Sequence, residues 1–122
     1  MSNLDIRSIE ELRQQEAPVV VVDRNGFIDY VNQAFEQAFG WSAAEIRGQA
    51  LTLIIPEHLH DAHHLGFSRF LETGRGSLLR RPLGLRARDR QGREFEAEHY
   101  IVAERQNGGW VFGALIRPLE GS

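Results

Sequence analysis

Between residues 94 and 103, two kinds of side chain alternate along the chain, and this pattern restricts the possible folds strongly. Successive side chains of a β-strand point to opposite faces, so glutamates at every second position share one face and the side chains between them share the other. Because the glutamates belong in water, the alternate positions must face inward, and this pattern predicts a strand of an antiparallel sheet with one solvated face. The inward positions are Phe95, Ala97, His99, Ile101 and Ala103.

Turn and capping residues place the other elements around this strand. Asn25-Gly26 and Asn107-Gly108 readily supply the positive φ angles of tight hairpin turns. Apolar side chains recur at three- and four-residue steps from Glu57 to about Thr73, which predicts a long helix that ends at Gly74. The remaining predicted elements are a leading helix over 8–16, strands over 19–22, 27–31, 78–88 and 110–116, and short helices over 33–39 and after Ser42.

Strands on both sides of a helical segment predict an α+β fold with one five-stranded antiparallel sheet and helices across one face. The long helix is expected to close over the inner face of the sheet and to leave a small-molecule pocket between them. A chain of 122 residues suits one domain. We expect an N-terminal flanking helix over 1–17, the domain over 18–118 and a C-terminal tail over 119–122.

Several classes of function are excluded by composition. The chain contains no cysteine and no lysine, which removes cysteine nucleophiles, thiolate metal sites, Schiff-base chemistry and the lysine of a P-loop. A net charge of −3 gives no reason to expect nucleic-acid binding. No apolar run approaches the ~18 residues that span a bilayer, and the polar N-terminus does not fit a signal peptide, so we expect a cytoplasmic protein. No catalytic elbow or phosphate loop is present, and we expect no enzyme.

Two histidines are predicted to face the pocket. His63 shares a helical row with Phe67 and Phe70, on the side that should meet the sheet. There it is either a core residue bonded to the backbone or a ligand. His99 faces inward among apolar neighbours, where an unpaired neutral imidazole would cost about 1–3 kcal/mol, so something should satisfy it.

The three other histidines, His58, His60 and His64, are interpreted as solvated residues at the start of the long helix. The helical spacing of His60 with His63 or His64 also fits two zinc ligands. No third ligand is evident in the sequence.

Short motifs along the chain resemble the PAS family. Their order and spacing extend the resemblance over about 8–118. It implies the PAS fold and a sensing and interaction module, often dimeric, that acts on a kinase, a cyclase or a transcription factor. The motifs are the run 23–32, Phe39-Gly40-Trp41-Ser42 with Glu45 and Gly48, Leu53-Ile54-Ile55-Pro56, the run 90–96 and the closing strand.

Within that family, the segments 55–63 and 67–70 resemble the haem-binding PAS domains of rhizobial oxygen-sensing histidine kinases. The resemblance implies His63 as the proximal haem ligand and Arg69 as a partner of a haem propionate. We expect Arg80 or Arg81 to assist Arg69, because arginine pairs with carboxylates by charge-assisted hydrogen bonds. Two positions depart from that group, because the arginine that holds bound oxygen is Leu83 here and a distal leucine is His99. The predicted cofactor-binding side chains are His63, Arg69, Leu78, Leu83, His99, Ile101 and, on the closing strand, Leu115.

We therefore expect a PAS sensory domain of signal transduction, of the two-component kind, that binds a small ligand and relays a conformational change to an effector. Haem b is the candidate cofactor for gas or redox sensing, with His63 on the iron. His99 would either bind the iron as sixth ligand or donate a hydrogen bond to bound oxygen. The alternative is a cofactor-free PAS module that acts in dimerisation or partner binding.

The leading helix predicts an interface. Ile9 and Leu12 have no evident place on the core of the sheet, so we expect them to pack on a second copy and to form a homodimer through this helix and the sheet. The other expected partner is an effector domain or protein. We expect no nucleic acid and no membrane span.

Overall fold

The computed structural model describes residues 6–74 and 79–119. Its strands form one antiparallel sheet in the order β2-β1-β5-β4-β3. The strands are β1 (Val19–Val22), β2 (Ile28–Val31), β3 (Pro82–Arg88), β4 (Glu94–Gln106) and β5 (Gly109–Pro118). The helices are α1 (Ile9–Arg13), α2 (Gln33–Phe39), α3 (Ala43–Ile46) and α4 (His60–Thr73), with 3₁₀ turns at Leu51–Ile54 and Glu57–Leu59. The α+β prediction of five antiparallel strands with helices is confirmed.

The short helices begin and end at the residues that the sequence marks. Asn32 Oδ1 accepts a hydrogen bond from Phe35 N at 3.0 Å, which caps α2. Ser42 and Glu45 exchange the two bonds of a capping box at the start of α3. Helix α4 ends at Gly74, whose φ of 71° is left-handed. These local signals fix where the chain enters and leaves the helices.

The sheet carries a core on each face. The inner core lies under α2, α3 and α4, and its largest fully buried side chains include Phe35, Phe39 and Ile46. The outer core lies under α1 and contains Ile6, Ile9, Leu12, Val19, Val21, Tyr100, Val102 and Leu115.

Helix α1 docks on its own chain, so the prediction that Ile9 and Leu12 pack on a second copy is wrong. Their side chains are 2% and 0% exposed. Gly113 of β5 leaves the space for them, because a Cβ at that position would overlap Leu12 Cδ2 and lie 3.1 Å from Ile9 Cδ1. Ile9 N also donates to Glu104 Oε1 at 2.8 Å. The leading helix therefore completes the monomer.

The other half of the outer face is charged. Arg86 bonds Glu96 at 2.7 Å and lies 3.5 Å from Glu94, while Arg117 bonds Glu98 at 2.6 Å. The glutamates of the period-two run therefore face solvent, as the pattern predicts. No helix in the described ranges is both long and apolar enough to cross a membrane.

Candidate functional site

Helix α4 lies over the inner face of the sheet and is anchored near its C-terminal end. Phe70 packs edge-on against Trp110 and Phe112 of β5, with ring centroids 4.8 and 5.1 Å apart. One turn earlier, the Phe67 ring lies 5.0 Å from that of Phe112. Among the fourteen residues of α4, all of them described, Phe70 alone is buried. Aromatic contacts with β5 therefore hold the C-terminal half of the helix against the sheet.

His63 lies one turn before Phe67 on the same side of α4. The two rings stack with centroids 6.0 Å apart and planes inclined by 24°. His63 is half-buried, and burial is the main reason that its pKa falls below 6.5, helped by repulsion from His64 and His60. The imidazole of His63 is thus held neutral near pH 7, with one nitrogen lone pair available.

His99 lies on the inner face of β4, between Leu83 of β3 and Ile116 of β5, its partners in the two ladders. Its Nδ1 is 3.2 Å from the carbonyl oxygen of Ala97, which supplies the hydrogen bond that an inward histidine needs. Burial lowers the pKa of His99, partly opposed by that hydrogen bond. The imidazole of His99, like that of His63, is therefore neutral near pH 7.

Apolar side chains around His99 are incompletely covered. Leu83 and Ile101 are half-buried, and Leu85 is 39% exposed. Leu79 pairs with Ile101 in a short parallel bridge beside them. This end of the inner face offers an apolar surface beyond the packed aromatic end of α4. Leu85 was not predicted as a site residue, although the period-two pattern that places Leu83 inward also places Leu85 there.

The remaining predicted site residues do not all join this surface. Leu115 is fully buried in the outer core, because it pairs with Val19 and Tyr100, whose side chains lie under α1. The prediction of Leu115 as a pocket residue is therefore wrong. Arg69 is exposed on α4, and Arg80 and Arg81 are exposed before β3. Leu78 lies outside the described residues.

The other histidines have different roles. His58 and His64 are exposed, as predicted. His60 is half-buried, and its Nε2 lies 2.8 Å from the Ile55 carbonyl oxygen and 3.1 Å from that of Thr52. His60 therefore ties the start of α4 to the preceding 3₁₀ turn, so its interpretation as a solvated residue is wrong. Within residues 6–74 and 79–119, no three His, Asp or Glu side chains are placed to hold a metal ion.

Two cavities lie away from this cleft. One, of about 110 Å³, is at the end of α2 beside the β3–β4 turn and is lined by Gly40, Asp89 and Arg90 among others. The second, of about 260 Å³, lies between the turns at Arg24 and Asn107. Neither lies between α4 and the sheet. The start of α4, beside this cleft, is held by the His60 contacts to the carbonyl oxygens of Thr52 and Ile55.

Comparisons with known proteins agree with this architecture. The family pattern described as PAS fold matches residues 12–115. An uncharacterised protein of Azorhizobium caulinodans is 35% identical over 102 residues, which cover 83% of this chain and 14% of the relative. The sensor protein FixL of Bradyrhizobium diazoefficiens is 30% identical over 102 residues, 83% of this chain and 20% of FixL. The chain thus spans only a small part of either relative.

Solved structures show the same fold at low sequence identity. The PAS domain of a protein from Colwellia psychrerythraea superposes with a TM-score of 0.73 at 16% identity, covering 93% of this chain and 94% of that one. The sheet order, the helices across its inner face and the match over most of the sequence lead to one conclusion. The chain belongs to the PAS family.

Proposed function

We propose that this PAS domain is a sensory module of signal transduction that binds haem b between α4 and the inner face of the sheet. The proposal is carried by the half-buried, neutral imidazole of His63 on α4, together with the incompletely covered apolar side chains around His99 on the inner face of the sheet. The relative named as a sensor protein, FixL, supports the sensory role. The sequence resemblance described above supports the choice of cofactor.

The chemistry of these side chains supports the choice of haem. A neutral imidazole nitrogen is a normal axial ligand of haem iron, and His63 is kept neutral by its surroundings. Leu83, Leu85 and Ile101 offer aliphatic surface to the porphyrin. Arg69 is exposed on the same helix and would hold a propionate by a charge-assisted hydrogen bond.

Bound haem supplies an iron that takes up a gas or changes its oxidation state. A change at a bound iron would reach α4 through His63, which shares that helix with the aromatic anchor. Phe70 would pass a shift of α4 to Trp110 and Phe112 of β5, whose rings it contacts. The opposite face of β5 carries α1 at Gly113, so the signal reaches the N-terminal helix through one strand. An effector that reads the position of α1 would respond to this population shift.

The test is a titration of the purified protein with hemin, followed by its visible spectrum. We expect a sharp Soret band with one equivalent bound in the wild type and loss of that band in His63→Ala. His64→Ala is the matched control, since His64 is the next residue of α4 and is exposed. A band that is equal in all three proteins would remove His63 as the ligand.

A cofactor-free module that binds a partner is the second candidate. It is favoured by Leu65 and Leu71 of α4, which are 58% and 44% exposed. This function predicts no Soret band in the wild type and a mass, measured by light scattering, that rises with protein concentration or on addition of an effector. Deletion of residues 1–16 would not test a dimer interface. It would remove Ile9 and Leu12, which are buried in the core of the monomer.

A further inference from the structure

Helix α4 turns one side away from the sheet, and an exposed leucine lies at its centre. Phe67 and Phe70 contact β5 from the opposite side, because residues two or five positions apart on an α-helix point in nearly opposite directions. Leu65 is 58% exposed, the largest fraction among the exposed large apolar side chains that the structure describes. A second surface that covered this side chain would gain the free energy of apolar burial.

Two opposite charges flank Leu65 on this outward side. Asp61 lies four residues before it and Arg69 four residues after it, and both are exposed. The two are about 12 Å apart along the helix axis. Within residues 6–74 and 79–119, neither of them forms an ion pair. The outward side of α4 therefore has an acidic end, an apolar centre and a basic end.

This order of side chains is complementary to itself when two copies of the helix run antiparallel. A two-fold axis through Leu65 brings the two leucines together and places Asp61 of each copy opposite Arg69 of the other. Ala62 and Ser68, which are also exposed, face each other in the same register, and their small size allows the helices to approach closely. A parallel arrangement would instead set like charges against each other.

We propose that this domain binds a second copy of itself through the outward side of α4, as an antiparallel helix pair with two-fold symmetry. The inference gives the cofactor-free candidate function its partner, and it does not depend on haem. The interface differs from the one predicted for the leading helix, since Ile9 and Leu12 remain buried in their own chain.

The strength of the pair follows from its size. Helix α4 has fourteen residues and is about 21 Å long. Two such helices side by side bury less surface than the roughly 1,200 Å² of the smallest stable interfaces. We therefore expect a weak dimer that dissociates on dilution, with one ion pair at each end to fix its direction.

Sedimentation equilibrium of the haem-free protein measures the dissociation constant of the pair. Leu65→Ser should raise this constant about tenfold or more, because it removes an apolar side chain from both copies at the centre of the contact. Leu71→Ser is the matched control. Leu71 is 44% exposed on the same helix but lies about 120° around its axis from Leu65, so the constant should change by less than about twofold.

An exchange of charges tests the antiparallel order. Asp61→Arg sets two arginines against each other at both ends of the pair, so the dissociation constant should rise about tenfold or more. Adding Arg69→Asp restores opposite charges and should return the constant to within about threefold of the wild type. Hemin is left out, because Arg69 is also the side chain that we assign to a propionate. Circular dichroism checks that each variant is folded.

The outcomes separate this proposal from haem binding. A wild type that is a monomer at every concentration would overturn the pairing, and the hemin titration would still decide the haem proposal. Equal weakening by Leu65→Ser and Leu71→Ser would also overturn it, as would a double charge variant that stays as weak as Asp61→Arg. A dimer weakened by Leu65→Ser and by Asp61→Arg, and restored by the double exchange, would support it.

Discussion

Leu12 of α1 and Gly113 of β5 lie against each other on the outer face of the sheet, and a Cβ on Gly113 would overlap Leu12 Cδ2. Leu12 is fully buried, so its side chain cannot turn away without disturbing the outer core. We predict that Gly113→Ala lowers the free energy of unfolding by about 1–3 kcal/mol, as overpacking does. Urea unfolding of the wild type and the variant measures this change in the free energy of unfolding.

The matched control for that variant is Gly84→Ala. Gly84 lies in β3, where a Cβ would meet no atom within 4 Å. The free energy of unfolding should therefore change by about 0.5 kcal/mol at most. Equal losses of stability in the two variants would mean that α1 does not dock on β5.

Asn32 joins the end of the α1 segment, β1 and α2. Its Nδ2 donates to the carbonyls of Gln15 and Ala17 at 3.2 and 2.8 Å, and its Oδ1 accepts from Val19 N and Phe35 N at 2.9 and 3.0 Å. We predict that Asn32→Ala lowers the free energy of unfolding by about 2 kcal/mol. The variant removes the cap of α2 and leaves partly buried backbone N–H and C=O groups without their hydrogen-bond partner.

Two further variants sharpen this measurement. Asn32→Asp keeps the acceptor of the helix cap but places a carboxylate oxygen against the carbonyl oxygens of Gln15 and Ala17, so its loss of stability should be at least as large as that of Asn32→Ala. Gln33→Ala changes the neighbouring exposed side chain and should cost little. An aspartate variant as stable as the wild type would contradict the donation of Asn32 Nδ2 to these two carbonyls.

Stability should depend on pH through the two inward histidines. Burial lowers the pKa of His63 and of His99 below 6.5 in the folded protein. The unfolded chain therefore binds more protons once the pH falls below about 6.5, and the free energy of unfolding decreases from there down to the native pKa values. Urea unfolding between pH 7.5 and 5.5 should show this decrease.

The controls for the pH profile are leucine variants. His99→Leu should flatten the profile in part, and the double variant with His63→Leu should flatten it further. The pKa of Glu45 is lowered below 4.5 by hydrogen bonds from the Ser42 backbone and from Arg90, so this carboxylate titrates outside the measured range. A profile of the same slope in wild type and double variant would contradict the burial of both imidazoles.

Short-range chemistry explains what the sequence could predict. The capping role of Asn32, the box of Ser42 and Glu45, and the end of α4 at Gly74 each depend on residues within a few positions of one another. The inward side of β4 could also be predicted from the sequence, because charged and apolar side chains alternate there. The position of His99 on the inner face follows from this alternation.

The docking of α1 and the position of Leu115 depend on contacts between distant segments. Both sets of alternating positions in β5 are mostly apolar, so period two cannot tell which set faces α1. A signal was nevertheless present in β4, where the outward set changes from glutamate at Glu98 to Tyr100 and Val102. That change marks where the solvated part of the outer face ends and the outer core begins.

A cavity variant of His63 tests whether this imidazole binds the iron. His63→Gly removes the imidazole and leaves space for a free one, so hemin-loaded His63→Gly should lose the wild-type Soret spectrum and regain it when imidazole is added. His64→Gly should keep the wild-type spectrum with or without imidazole. A wild-type spectrum in His63→Gly before any imidazole is added would contradict the account.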